Sequence, residues 1–84
     1  MRWTVVYVDN SENELADIWL HAADRQAITA AAHRIDEALR DHPDMKGDDF
    51  YGDRIYQESP LAVAYTLRPE DRLVRIFQVM RIRG

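Results

Sequence analysis

The chain has 84 residues, of which 46% are hydrophobic and 31% charged, and its formal net charge is −4. This composition is typical of one soluble globular domain over residues 1–84 and excludes a disordered chain. Because the chain has no cysteine, disulfide bonds and thiolate metal sites are excluded. The apolar run before Asp9 is too short for a signal peptide or a membrane span, so we expect a cytoplasmic protein without membrane association.

Charge is distributed unevenly along the chain. Residues 1–53 carry five Lys or Arg against twelve Asp or Glu, a balance of −7. Residues 54–84 carry six Arg against three acidic residues, a balance of +3. The acidic total argues against non-specific nucleic-acid binding through bulk charge. Two interpretations stay open for the C-terminal third: a basic binding face, or ordinary mixed surface charge.

The first two predicted elements are a strand and a helix. Residues 2–8, RWTVVYV, are β-branched and aromatic and predict a strand, and apolar residues on both of its faces indicate a strand covered on both sides. Ser11 and Glu14 have the spacing of a capping box, which predicts the start of a helix. Its apolar stripe comprises Leu15, Ile18, Trp19 and Ala22.

A second helix is predicted from an N-cap at Asp24 to about Asp41, with Pro43 ending it. Its apolar stripe comprises Ala27, Ile28, Ala31, Ile35, Ala38 and Leu39. We expect the two helices to form a hairpin on a sheet, with Trp3 and Trp19 anchoring the core between helices and sheet.

The C-terminal half is predicted to be a loop followed by a β-meander. Residues 42–53 contain Pro, two Gly and several Asp, which indicates a loop. Strands are predicted at 54–58, 61–67 and 72–82. The order β-α-α-β-β-β predicts an α+β fold, with the helical hairpin on one face of a small, mainly antiparallel sheet.

Strict alternation in the last strand predicts two chemically distinct faces. One face would carry Val74, Ile76, Met80 and Ile82, and the other Arg75, Phe77, Val79, Arg81 and Arg83. Arginines on the second face would not disturb the core.

No metal site is predicted. The acidic residues of segment 42–53 do not have the spacing of a calcium-binding loop. His33 and Glu37 lie four residues apart on the second helix, but no third ligand accompanies them. We interpret segment 42–53 as a solvated acidic loop, and His33 and Glu37 as an ordinary surface pair.

Several short segments carry a resemblance to a known family. They are Ile18-Trp19, the passage Leu39, Pro43 and Gly47, then Arg54, Ala64-Tyr65, and the closing run from Ile76 to Val79. In this order and spacing the chain resembles the RelE/ParE toxins of bacterial type II toxin–antitoxin modules, also described as plasmid stabilisation systems. The resemblance covers nearly the whole chain and implies the same α+β fold.

The resemblance also implies a function. RelE-like toxins cleave messenger RNA on the ribosome, whereas ParE-like toxins poison DNA gyrase, and both are neutralised by an antitoxin protein. We therefore expect a toxin-like protein that inhibits growth through gyrase or translation, with no cofactor. If the chain is an enzyme, it is a RelE-type endoribonuclease.

The resemblance implies candidate site residues. RNA cleavage requires a proton acceptor, a proton donor and positive charge for the developing phosphorane. Arg54 and Arg81 are the catalytic candidates. The expected binding surface comprises Arg54, Arg75, Phe77, Arg81, Arg83 and Lys46.

Two departures from the family pattern favour a gyrase-directed toxin or a degenerate binding module over a ribonuclease. Ala62 stands where the family often has a central arginine, and no His or Tyr follows the last strand. The remaining alternative is a homodimer through the arginine-bearing face of that strand.

Overall fold

The computed structural model describes residues 2–82, apart from the side chain of Phe50. Its elements are β1 (Thr4–Tyr7), α1 (Ser11–His21), α2 (Arg25–Arg40), a 3-10 turn (Pro43–Met45), β2 (Asp48–Phe50), β3 (Asp53–Glu58), β4 (Leu61–Arg68), a second 3-10 turn (Pro69–Asp71) and β5 (Leu73–Arg81). The predicted α+β fold, with a helical hairpin on a mainly antiparallel sheet, is confirmed. Neither helix within residues 2–82 is long and apolar enough to cross a membrane.

The sheet has five strands in the order β1-β5-β4-β3-β2. β1 pairs with β5 in parallel, and the other three pairs are antiparallel. β1 is therefore an edge strand, and the helices cover one of its faces, where Val5 and Tyr7 pack against the core. The prediction that both faces are covered is wrong, since Thr4 on the opposite face is exposed.

β2 lies within the segment predicted to be a loop. It pairs with β3 across the two residues Tyr51 and Gly52, which both have positive φ, of 51° and 88°. Positive φ at both central residues is the geometry of a two-residue hairpin turn whose twist matches that of paired strands. The turn thus adds a fifth strand to the sheet.

α2 follows its prediction closely. Asp24 is the N-cap, and its carboxylate accepts a hydrogen bond of 3.1 Å from the backbone N–H of Ala27. The buried face of α2 consists of Ile28, Ala31, Ile35 and Leu39. These side chains form one core with Leu61, Val63 and Tyr65 of β4 and with Val74, Ile76 and Val79 of β5. The small Ala31 allows the helix backbone to lie close to the sheet.

The start of α1 differs from its prediction. The N-cap is Asn10, and no side-chain capping bond forms there. Ser11 is fully buried, and its hydroxyl oxygen lies 2.8 Å from the carbonyl oxygens of both Val8 and Ile76. The predicted capping box is wrong because the Ser11 hydroxyl bonds to Val8 and to Ile76 of β5, and the Glu14 carboxylate bonds to Val79 of β5.

A β-bulge interrupts the alternation of β5. Ile76 is opposite Tyr65 and Gln78 is opposite Ala64, so Phe77 is an extra residue without a partner on β4. An extra residue exchanges the faces of all residues that follow it. Val79 consequently points to the core and is 5% exposed, whereas the prediction placed it on the face opposite Ile76.

Candidate functional site

Arg54 is part of a structural clamp on the loop after α2. It lies opposite the core residue Tyr65, so both side chains are on the face of the sheet that the helices cover, the helix face. The Arg54 guanidinium donates to the carbonyl oxygens of Lys46 at 3.0 Å and Gly47 at 3.2 Å. Both hydrogen bonds are partly buried, so the Arg54 side chain stabilises the conformation of this loop.

Tyr65 completes this clamp from the core. Its hydroxyl oxygen lies 2.9 Å from the carbonyl oxygens of Pro43 and of Lys46. Burial raises the pKa of the Tyr65 phenol above its usual value, and the adjacent Arg54 charge opposes that rise. A buried phenol with a raised pKa that donates to backbone carbonyls is a structural group. The Lys46 ammonium turns back to the carbonyl oxygen of Asp41, at 2.9 Å.

Arg81 lies on the helix face at the other end of the sheet. It is opposite Leu61, whereas Arg54 is opposite Tyr65, four residues along β4. With a rise of about 3.4 Å per residue, the two backbones are separated by about 14 Å along the strand direction. The two catalytic candidates are therefore not brought together.

A cleft of about 620 Å³ adjoins Arg81. It lies between the N-terminus of α2 and the ends of β4 and β5, and its lining residues are Ala23, Asp24, Ala27, Ile28, Ser59, Pro60, Arg81 and Ile82. Arg81 is exposed, and within residues 2–82 its guanidinium makes no ion pair. The cleft combines an apolar wall with one available cation, a combination that suits an acidic and apolar polypeptide segment.

Arg75 and Phe77 lie on the opposite face of the sheet, which the helices leave uncovered and which we call the open face. They line a smaller cleft of about 280 Å³ together with Val8, Asp9, Asp53 and Thr66. The prediction that Arg75 and Arg81 share a face is wrong, because the bulge at Phe77 lies between them. Arg83 lies outside the described residues.

The centre of the open face carries no ionisable side chain within the described part of the chain. The strand pairing places Ile55, Gln57, Ala62, Ala64, Gln78 and Met80 there. Ala62 and Ala64 are almost fully buried, at 2% and 4% exposure, although no helix covers them. Larger neighbouring side chains flank these alanines, and the middle of the face is neutral.

Neither cleft has the charge balance that phosphate binding requires. The Arg75 cleft contains two carboxylates, of Asp9 and Asp53, against one guanidinium. The Arg81 cleft contains one carboxylate, of Asp24, against one guanidinium, and no histidine or tyrosine lines it. An RNA-cleaving centre needs positive charge next to a proton donor and an acceptor, and neither set of lining residues contains a histidine, lysine or tyrosine that could donate the proton.

The positions of two surface residues, Asp9 and Trp19, were not predicted from the sequence. Asp9 is adjacent to the Arg75 cleft because a left-handed backbone conformation, φ 57°, turns the chain at the end of β1. Trp19, predicted to be core, is 39% exposed and lies on the outer side of α1. Its neighbours Ala16 and Leu20 on α1 are also exposed, and the i, i+3, i+4 spacing of these three residues is visible in the sequence.

Three solved structures resemble this fold. The RelBE2 toxin–antitoxin complex of Mycobacterium tuberculosis has a TM-score of 0.76 at 15% identity, covering 96% of this chain and 92% of that chain. The chromosomal ParDE toxin–antitoxin system of P. aeruginosa has a TM-score of 0.69 at 14% identity, covering 96% and 97%. The isolated E. coli RelE toxin has a TM-score of 0.63 at 12% identity, covering 98% and 86%.

These likenesses identify the fold. No protein-family model matches the sequence, and a search of curated protein sequences finds no relative. The chain nevertheless has the RelE/ParE fold along nearly its whole length. Function must be inferred from this fold together with the geometry of its surfaces.

Proposed function

We propose that this chain, which has the RelE/ParE fold, is the toxin-like component of a bacterial type II toxin–antitoxin module and acts in the cytoplasm. The observation that carries the proposal is the length of the match, since the structural likeness covers 96% of this chain and 92% and 97% of two neighbours from toxin–antitoxin systems. The shared fold thus extends over almost the full length of both neighbours.

We infer that inhibition proceeds by binding and not by RNA cleavage. The open face has Ala62 where the family often has a central arginine, and the neighbouring Ile55, Gln57, Gln78 and Met80 are uncharged. The two clefts with an arginine have no net positive charge among their lining residues. DNA gyrase is the target that fits this chemistry best, because a gyrase poison needs no nuclease centre.

The antitoxin is proposed to contact the Arg81 cleft. Arg81 makes no ion pair within residues 2–82, and the adjacent wall contains Ala27, Ile28 and Pro60. An acidic and apolar segment of the antitoxin would neutralise the cation and cover the apolar wall. The Arg75 cleft is less suitable for an acidic partner because it has two carboxylates, Asp9 and Asp53, whereas the single carboxylate of the Arg81 cleft, Asp24, caps α2.

A ribosome-dependent endoribonuclease is the second candidate. The observation that favours it is the Arg75 cleft, where a guanidinium, two carboxylates and the Thr66 hydroxyl lie together. A carboxylate next to a guanidinium could accept a proton from a 2′-hydroxyl.

The third candidate is a non-toxic module that retains the fold for partner binding. The neutral open face supports this candidate as well as it supports a gyrase-directed toxin.

Induced expression in bacteria, with and without the neighbouring gene, tests these proposals. We expect growth arrest from the chain alone and its relief when the neighbouring gene is co-expressed. Broken DNA and an SOS response would identify gyrase as the target, whereas cut transcripts would identify a ribonuclease. Unimpaired growth at a verified high level of folded protein would overturn the toxin proposal in favour of the binding module.

Arg81→Ala provides a site-specific test, with Arg2→Ala as the matched control. Arg2 is also an exposed arginine, and its only ion pair within residues 2–82 is a 3.4 Å surface contact with Glu37. We expect Arg81→Ala to weaken binding of the antitoxin about 5-fold or more, and Arg2→Ala to leave binding unchanged. Equal affinity of both variants would exclude the Arg81 cleft from the antitoxin interface.

A further inference from the structure

Helix α1 has apolar side chains on two sides. Its inward side chains, Leu15, Ile18 and Ala22, pack against the core. Its outward side carries Ala16, Trp19 and Leu20, all exposed, with Trp19 at 39% and Leu20 at 56%. A surface helix normally has one apolar face and one polar face, and a contiguous exposed apolar stripe marks an interaction site. We call this outward stripe the α1 outer face.

Trp19 is held rigidly at the centre of this face. Its indole Nε1–H donates to the Thr29 hydroxyl at 3.1 Å, and the Arg25 guanidinium carbon lies 4.7 Å from the ring centroid. The ring separates two grooves of about 410 and 450 Å³ that run along α2. An ordered tryptophan with arginine beside it, flanked by apolar grooves, is the composition of an interface anchor.

The two grooves carry opposite charges. Glu12 lines the groove on one side of Trp19, and Arg25 lines the groove on the other side. Within the described residues neither side chain takes part in an ion pair. Glu12 lies seven residues before Trp19 on α1, about 10 Å along the helix axis. The α1 outer face is therefore negative at one end and positive at the other.

We propose that the α1 outer face binds a second copy of the same chain about a two-fold axis near Ala16. A two-fold rotation exchanges the two ends of a face, so a face with opposite charges at its ends is complementary to itself. Each Glu12 would lie opposite the Arg25 of the other copy, and the two Trp19 rings would lie side by side near the axis. The small side chain of Ala16 permits the helices to approach closely at that point.

The proposal commits to a second copy because of this charge arrangement. A partner with a single acidic segment, such as the one proposed for the Arg81 cleft, would match Arg25 but would be repelled by Glu12. The interface is small, since α1 has only 11 residues, about 16 Å in length. We therefore expect a weak dimer with a dissociation constant in the micromolar range.

Sedimentation equilibrium of the full chain tests the proposal, using charge-reversal variants. Wild-type protein should change from monomer to dimer with rising concentration. Glu12→Arg and Arg25→Glu should each remain monomeric, because each variant places like charges opposite one another twice. An equimolar mixture of the two variants should dimerise again, because every contact then joins an Arg to a Glu. Glu70→Arg, in the turn between β4 and β5, is the control and should dimerise like wild type.

Circular dichroism should show that all variants fold, since positions 12, 25 and 70 are exposed. A wild-type chain that stays monomeric through the micromolar range would overturn the proposal. Dimers in both single variants, or a mixture that stays monomeric, would also overturn it. A monomeric wild type in which Glu12→Arg alters antitoxin binding would assign the α1 outer face to the antitoxin. These outcomes are independent of growth arrest, so they can be distinguished from failure of the proposed toxin function.

Discussion

The Glu14 carboxylate on α1 accepts a hydrogen bond of 2.9 Å from the backbone N–H of Val79, 65 residues later on β5. β1 pairs with β5 only as far as Tyr7 opposite Ile76, so beyond that point no strand among residues 2–82 pairs with β5 on this side. The Glu14 carboxylate therefore supplies the hydrogen-bond acceptor for Val79 that a residue of β1 would supply if the strand pairing continued. The bond fixes β5 just after the bulge at Phe77, and the bulge is what turns Arg81 to the helix face.

Substitution of Glu14 should therefore destabilise the sheet. In Glu14→Ala the partly buried N–H of Val79 loses its acceptor, which we expect to cost about 1–3 kcal/mol in the free energy of unfolding. Glu14→Gln keeps an oxygen acceptor and should cost less than about 1 kcal/mol. Urea denaturation of both variants measures the difference. Equal stability of the two variants would contradict a specific role for this hydrogen bond.

Arg54 and Arg81 should respond differently to substitution by alanine. Arg54→Ala removes two hydrogen bonds from partly buried carbonyl groups, so we expect a loss of about 1–3 kcal/mol in unfolding free energy. Arg81→Ala removes an exposed side chain without an ion pair in residues 2–82 and should change stability by less than about 0.5 kcal/mol. Thermal and urea unfolding measure both. The reverse order of the two losses would show that Arg54 does not hold the loop.

Stability should fall at alkaline pH, in part through Tyr65. Its pKa is raised in the folded state, mainly by burial, so folding favours the neutral phenol. The stabilisation is complete below the unfolded pKa of about 10 and is lost as the pH rises through the folded pKa. We expect Tyr65→Phe to reduce stability near neutral pH by about 1 kcal/mol, through the lost hydroxyl bonds, and to weaken the decline above about pH 10. Urea midpoints measured from pH 7 to about pH 11 would test this. An unchanged alkaline decline would assign it to other tyrosines, such as Tyr7, whose pKa burial also raises.

Gly47→Ala should be far more damaging than Gly52→Ala. Both glycines have positive φ, 69° and 88°, so both alanine variants carry the cost of a left-handed backbone, about 1 kcal/mol. A Cβ at Gly47 would in addition collide with the carbonyl oxygen of Ile55, whereas a Cβ at Gly52 would meet open space. We expect a loss of at least about 2 kcal/mol for Gly47→Ala. Similar unfolding midpoints for the two variants would refute the close approach of Gly47 to β3.

Elements with local determinants were predictable from the sequence. α2 was placed correctly because its N-cap at Asp24 and its stripe from Ile28 to Leu39 lie within one continuous segment. The strands from Asp53 to Arg81 were predicted because β-branched residues and Pro-containing turns delimit them. These features, with their order along the chain, were sufficient for the α+β fold and for the resemblance to RelE/ParE toxins.

The site residues were less predictable, because their neighbours are set by pairing between distant strands. One extra residue at Phe77 places Arg75 and Arg81 on opposite faces, and no rule of alternation within β5 reveals it. Arg54 was a candidate for function, but its guanidinium is held by loop carbonyls eight and seven residues earlier in the chain. Ser11 and Glu14 have the spacing of a capping box, yet both bond to β5.

By itself, the sequence determined both helices, four of the five strands and the core face of α2, because hydrophobic periodicity and capping act over a few residues. The tertiary structure decided which charged side chains are near one another. A hydrogen bond between α1 and β5 and a bulge in β5 are fixed only when strands far apart in sequence pair. The same pairing leaves a neutral centre on the open face and an exposed arginine at position 81 on the helix face.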